Sequence, residues 1–221
     1  MTVVRLATFN IRRGLGLDSA TNLERTAKTI RATGAQLIAM QELDRRKWRS
    51  GMIDQPAKLA ELTGMKVHFW PTVRRWLGGY GIALAVRGRA EMEFRALPSA
   101  GREEPRGAIV GRAAGLGIIA AHVATQRGRS HLRQLEAIAS MAAELEAPVV
   151  VLGDLNAPRR ELDGLRAAGF DPGPEIVTFG GRRPRQIDYI LVGPGARLVR
   201  VWTVPSEASD HLPLVADVAI D

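Results

Sequence analysis

Asp154 and Asn156 are the first residues to suggest chemistry, since they follow the apolar run Val149-Val150-Val151-Leu152 across Gly153. A carboxylate beside an amide can hold a water molecule and take its proton. If strand geometry continues through them, side-chain alternation points both the same way. Both residue types also favour turns and helix N-caps, so an Asp-Asn turn leading into a helix stands as the plain alternative. Other polar residues share this setting. Asn10 follows Thr8-Phe9, Glu42 follows Met40-Gln41, and His122 follows Ile118-Ile119-Ala120-Ala121. Asp188 sits inside Gln186-Ile187-Asp188-Tyr189-Ile190-Leu191, and Asp210-His211 precede Leu212-Pro213-Leu214. Acidic groups beside strongly apolar runs are costly unless paired or metal-bound. The set is rich in oxygen and contains no thiolate, which suits Mg²⁺, or Mn²⁺ as a substitute, better than zinc. Such an ion points to phosphoryl chemistry.

The elements that must position these residues are legible by period and punctuation. Strands are expected over Val3–Phe9, Gln36–Met40, Lys66–Trp70, Gly81–Arg87, Glu91–Leu97, Gly107–Ala114, Leu116–Thr125, Val149–Leu152, Gln186–Val192, Arg197–Val204 and Leu212–Ile220. A helix follows the capping-box pair Thr21/Glu24 and stops at Gly34; a second begins near Asp54 and Pro56 and stops at Gly64. The clearest helix, Ser130 to Glu146, carries Leu132, Leu135, Ile138, Ala139, Ala142 and Leu145 on one face. A last helix is expected near Arg159–Ala168, closed by Gly169. Strands outnumber helices and several neighbours are joined by short turns, which gives a mixed α/β (α+β) architecture with much antiparallel sheet rather than a doubly wound one. Residues 1–221 read as one domain, without linker or repeat. His68, alternating with Val67 and Phe69, is expected on the outer face of its strand. His131, between Arg129 and Arg133, is expected in water, and neither joins the site.

Composition narrows the class. At 46% hydrophobic and 24% charged the chain is ordinary for a globular protein, and it lacks a run of the ~18 apolar residues that spans a bilayer. The N-terminus enters a strand at once, so no signal peptide is read, and a cytoplasmic monomer without membrane insertion is expected. Zero cysteines exclude disulfides and thiol nucleophiles. The formal charge of +8 favours phosphorylated partners, nucleic acid among them. Basic runs interleaved with aromatics are confined to Arg45-Arg46-Lys47-Trp48-Arg49 and Arg74-Arg75-Trp76. The specificity of the site is expected to lie in loops such as Arg45–Asp54 and Val73–Gly79.

Taken in order, Thr8-Phe9-Asn10-Ile11, Gln41-Glu42, Glu104-Pro105-Arg106-Gly107-Ala108, His122, Gly153-Asp154-Leu155-Asn156, Ile187-Asp188-Tyr189-Ile190 and Ser209-Asp210-His211-Leu212-Pro213 resemble the endonuclease/exonuclease/phosphatase superfamily, the fold of pancreatic-type deoxyribonuclease. The resemblance implies a four-layer α/β/β/α sandwich with its site at one edge of two packed sheets. It implies a metal held by Glu42 with Asn10 and Asp210 close by, and a water oriented or deprotonated by Asp154. Asn156 would hold that water or a phosphate oxygen, His211 would donate to the phosphate, and Asp188 would orient a histidine. His122 would be a second phosphate-facing imidazole, as in the deoxyribonuclease and sphingomyelinase branches; the apurinic-site endonucleases have a tyrosine there. The chain departs from the family in having Ile82 where an asparagine often follows the glycine. Three readings are open: a metal-dependent phosphodiesterase or phosphatase acting on a small or lipid-derived ester, a DNA or RNA nuclease, and a non-catalytic phosphate- or nucleic-acid-binding module. No G-x-S-x-G elbow occurs to support a serine hydrolase.

Overall fold

The arrangement follows from which face each strand buries. In β1 (Thr2–Asn10), Val4 and Leu6 belong to one apolar cluster, Ala7 and Phe9 to another. In β8 (Val149–Asp154), Val150 and Leu152 join that first cluster, while Val149 and Val151 enter a third. Side chains alternate with a period of two, so each sheet is buried on both faces. Helices α1 (Leu23–Thr33) and α2 (Gln55–Thr63) cover the outside of the first sheet, and α3 (His131–Glu144) and α4 (Asp163–Ala167) the outside of the second. The result is the expected four-layer α/β/β/α sandwich, seen here in a computed structural model that describes residues 2–75, 78–126 and 128–220. Trp76, from the second basic–aromatic run, lies outside the described residues, as does Leu77 of the neighbouring loop.

The first sheet also contains β2 (Leu37–Arg45), β3 (Lys66–Arg75), β4 (Gly78–Val86), β10 (Ala196–Thr203) and β11 (Leu214–Ile220), in the order β10-β11-β1-β2-β4-β3. The second contains β5 (Ala90–Ala96), β6 (Gly107–Ala113), β7 (Leu116–His122) and β9 (Asp188–Val192), in the order β5-β6-β7-β8-β9. Among the described residues only β1/β2 and β7/β8 pair in parallel, and a helix, α1 or α3, lies in each of those crossovers. Between β7 and β8 the backbones approach so closely at Gly153 (φ +150°) that a Cβ would lie 1.9 Å from the Ala121 carbonyl oxygen. Ile82, the departure from the family pattern, is a buried member of the inter-sheet core.

Several local expectations are corrected. Helix α1 is capped not by Thr21 but by Asn22, whose Oδ1 accepts from the Arg25 backbone N–H at 2.8 Å. Thr21 is committed to a bridge with Leu15, which holds it extended ahead of the helix. On α3, Leu132 is 58% exposed, and Met141 and Gln134 take buried places beside Leu135 and Ile138. His68 shares a strand face with Trp70, whose ring packs on the inter-sheet core, while Val67 and Phe69 face the helices, so His68 is not on the outer face. His131 is buried: its Nδ1 donates to the Ala124 carbonyl at 2.6 Å and its Nε2 lies 2.8 Å from Glu161.

Candidate active site

Parity places most of the site. The residues of β1, β7, β8 and β9 that face the opposite sheet run Val4-Leu6-Thr8-Asn10, Ile118-Ala120-His122, Val150-Leu152-Asp154 and Val192-Ile190-Asp188. Apart from Thr8, each row is apolar until its last member. Register aligns three of those last members across the second sheet, His122 opposite Asp154 and Asp154 opposite Asp188. The inter-sheet core therefore ends in a row of polar groups along one edge of the sandwich.

Glu42 arrives differently. Met40, two residues before it, points into the helix-facing core, and plain alternation would send Glu42 there too. Instead Glu42 adopts φ +61° at a break in register between Met40 and Leu43. This bulge re-aims the carboxylate toward the sheet edge. There Asn10 Nδ2 donates to Glu42 Oε1 (3.2 Å) and to Asp154 Oδ2 (2.9 Å), joining the two sheets. Asp154 and Asn156 reach the same cavity by a turn, not by continued strand: the Asn156 N–H donates to Asp154 Oδ1 (3.1 Å), Asn156 has φ +49°, and its Nδ2 donates to the Val123 carbonyl (3.0 Å). The turn of the plain reading is present, and it places both side chains at the cavity.

A cavity of about 350 Å³ opens on this edge, lined by Glu42, His122, Asp154, Asn156, Asp210 and His211 among the expected residues. Asn10 and Asp188 stand behind them through hydrogen bonds to Asp154 and to His211. The lining also includes residues given no role from sequence: Arg12, Arg13, Arg106, Thr125, Phe179 and Arg185. Arg13 pairs with Glu42 (3.2 Å), Arg12 lies 3.6 Å from Asp210, and Arg106 Nη1 lies 2.9 Å from His122 Nδ1. The Nε of Arg106 is buried without a hydrogen-bond partner, a donor left for a bound group to satisfy. Phe179 packs edge-on to His211, with rings 5.0 Å apart, and carries Arg185 over its face at 4.6 Å.

The electrostatics divide the ionisable groups. Burial, and then the charge of Asp188, raise the Asp154 carboxyl to about 7 against the pull of His211 and Asn10. For His211, burial works against the imidazolium, but Asp188, Asp154 and Asp210 outweigh it and raise the group to about 10. His122 goes the other way: burial, then Arg106 and His211, hold it well below its ordinary value. At neutral pH the site thus presents a charged His211, a neutral His122 and an Asp154 close to its midpoint.

Two sets of residues have ligand chemistry. Asp154, Asp188 and His211 are buried and offer ligand atoms within 4.8 Å of one another. His211 Nδ1 to Asp188 Oδ2 is 2.9 Å, a hydrogen bond, so in this set a proton on the imidazole already balances the buried carboxylates. Glu42 and Asp210 bring carboxylate oxygens to the cavity, where Arg13 and Arg12 lie against them; Asn10 stands behind, its Oδ1 accepting from the Arg12 N–H. That donor set fits a divalent ion of the Mg²⁺ or Mn²⁺ type.

Residues 7–211 match the Endonuclease/Exonuclease/phosphatase family. No curated relative matches the chain by sequence. Among solved structures it is similar to an endonuclease/exonuclease/phosphatase from Beutenbergia cavernae DSM 12333 (21% identity, TM-score 0.80, covering 100% of this chain and 72% of that one). It is similar also to an AP endonuclease from Archaeoglobus fulgidus (22% identity, TM-score 0.71, 99% of this chain and 99% of that one). A third is ANGEL2, a 2',3'-cyclic phosphatase in complex with adenosine-2',3'-vanadate (14% identity, TM-score 0.70, 99% of this chain and 96% of that one). At these identities the likeness to each is one of fold. Fold and sequence pattern agree: the chain belongs to the endonuclease/exonuclease/phosphatase family, whose enzymes generally hydrolyse phosphoester bonds.

Proposed function

We propose that the chain is a Mg²⁺- or Mn²⁺-dependent phosphoester hydrolase in which water attacks phosphorus. The observation that carries this reading is geometric: Asp154 lies 3.9 Å from His211, which Asp188 backs, and 2.9 Å from Asn10, in a cavity lined by Glu42 and arginines. A base is most effective when its pKa lies near the working pH, which suits Asp154 to take the proton of the attacking water. The Asn156 carbonyl oxygen helps hold that water, since its amide nitrogen is tied to Val123. His211 Nε2 donates to a phosphate oxygen, while Asp188 fixes the ring through Nδ1. Neutral His122 and the guanidinium of Arg106 bind further phosphate oxygens, Arg106 with its unpartnered Nε. Glu42, with Asn10 and Asp210 close by, would hold the ion, which would supply charge neutralisation at the phosphoryl group. The test is hydrolysis of a bis-aryl phosphate and an aryl phosphate with Mg²⁺, Mn²⁺ and chelator. Metal-dependent release of the phenol that is lost in Asp154→Asn is expected; equal rates in that variant and wild type would end the scheme.

A nuclease is the more specific second reading, favoured by the exposed basic loop Arg45–Arg49 that follows Glu42 in the chain.

A further inference from the structure

The loop after Glu42 is held rigidly and yet presents apolar surface. Arg49 folds back on the wholly buried Asp44 through two hydrogen bonds of 2.8 and 2.7 Å. Gln55 accepts from the Asp44 backbone N–H (2.9 Å) and donates to the Arg13 carbonyl (2.7 Å), and Arg46 N–H donates to the Ile53 carbonyl (2.8 Å). On this frame Trp48 is 84% exposed, and Ile53 is exposed as well. Arg45 lies over Phe69 at 5.2 Å, and Lys47 and Arg49 lie over Tyr80 at 5.6 and 5.1 Å. The Tyr80 phenol in turn feels the charges of Glu42 and Arg106, so the loop adjoins the cavity. An isolated surface tryptophan needs no explanation. One mounted on a loop this firmly pinned, among cations, has its binding conformation organised in advance.

A second basic segment flanks the cavity on its other side. Phe179 and Arg185 exchange backbone hydrogen bonds (3.0 and 3.2 Å), and Gly180 N–H donates to the Asp210 carbonyl (2.9 Å), which fastens this turn beside His211. Among the described residues no carboxylate pairs with its exposed Arg182, Arg183 or Arg185. In the first sheet β11 leads from the His211 side, followed by β1, β2, β4 and β3, whose last two members carry Tyr80 and Phe69. Glu42, just before the first segment, and Phe179 and Arg185 of the second all line the cavity, so both basic segments border it. A single phosphorylated headgroup engages one point of such a track; a chain bearing a phosphate on every unit continues past the cavity on both sides.

We propose that Trp48 is a stacking platform for an unpaired nucleobase, and that the ester cleaved in the cavity belongs to a single-stranded polynucleotide. The proposal rests on the phosphoesterase reading above and names its substrate. It is tested by fluorescence anisotropy with the full-length chain in chelator, where no hydrolysis intervenes, using a labelled oligothymidylate of about twelve nucleotides. Trp48→Ala is expected to weaken binding about tenfold, as loss of one stacked base should. Trp48→Phe should bind within about threefold of wild type, and Trp48→Leu, apolar but without a π face, as weakly as the alanine variant. Because the side chain is 84% exposed, none of these changes threatens the fold. Unchanged binding by Trp48→Ala would overturn the proposal, as would equal affinity for a duplex of the same length. So would binding to phosphatidylserine vesicles but not to the oligonucleotide, which would make the loop a membrane contact. Hydrolysis of a bis-aryl phosphate with Mg²⁺ is measured in parallel. Turnover there without oligonucleotide binding overturns the platform alone; absence of turnover on every ester overturns the phosphoesterase reading and the named substrate with it.

Discussion

On one side of Asp154 stands His211, its Nε2 3.9 Å from the carboxylate; on the other stands His122, its Nε2 at 3.6 Å. Both rings are buried, His122 at 3% and His211 at 6% exposure, and both sit at the inter-sheet edge. They differ in what stands behind them. Asp188 backs His211, and Arg106 lies against His122. Desolvation alone lowers an imidazole's pKa; a carboxylate at hydrogen-bond distance reverses that, and a guanidinium adds to it. The neighbour in the second layer, not the depth of burial, decides which histidine carries a proton.

The largest effect that could break this contrast comes from His211→Ala, expected to lower turnover by about 10³-fold or more with the fold retained. Steady-state kinetics beside a thermal melt would check it, and near-wild-type turnover would remove His211 from the phosphate. Next, Asp188→Asn removes the partner that raises His211, and turnover is expected to fall by about 10²-fold. The same variant gives a stability test with a definite sign. His211, raised to about 10 in the folded chain, contributes stability that is fully present below its unfolded value and lost as pH rises through about 10. In metal-free protein the deficit of Asp188→Asn in urea unfolding should therefore be largest near pH 6 and shrink toward pH 10. A deficit that grew with pH would contradict the assignment. His122→Gln, which keeps a neutral donor and removes the ring, should cost only about tenfold in turnover. Smallest of all, Arg106→Ala should raise the KM several-fold and move the His122 titration back toward the ordinary histidine range, as read by NMR. An unmoved His122 titration would mean that burial alone accounts for its lowered value.

The two sides of this site were not equally legible in the sequence. Asp154, Asp188 and His122 announce themselves because a polar residue ends a row of apolar ones, and strand parity then fixes where it points; Asn10 does so at the end of β1, behind Thr8. Asp210 and His211 are recoverable from their place before the final strand. The arginines were missed. In a chain where lysine occurs only at four positions and arginine is everywhere, Arg12, Arg13 and Arg185 look like any other surface charge. Only the cavity singles them out. Phe179 was invisible for another reason: it lies in a turn-rich stretch, and its contact with His211 comes from a backbone bridge between distant segments. The burial of His131 escapes the sequence because its partners, the Ala124 carbonyl and Glu161, come from segments 7 and 30 residues away, and their approach to the start of α3 is a tertiary contact that periodicity does not encode. The cap of α1 was missed by one residue because Thr21 had a bridging role outside the helix.

The bulge at Glu42 carries a consequence for anyone who would transplant this site. Upstream of it β2 keeps time with the inter-sheet core; downstream it keeps time with the pinned loop, and the two counts differ by one. A shortening by one residue at Leu43 would bring the counts into step and, by plain alternation from Met40, swing the acid into the helix layer, with every other site residue left in place. A change of similar size among residues 50–52 would alter only the outline of the loop. The portable unit is therefore the strand together with its miscount, and a graft that copied the residues onto a regular strand would carry the letters of the site without its acid.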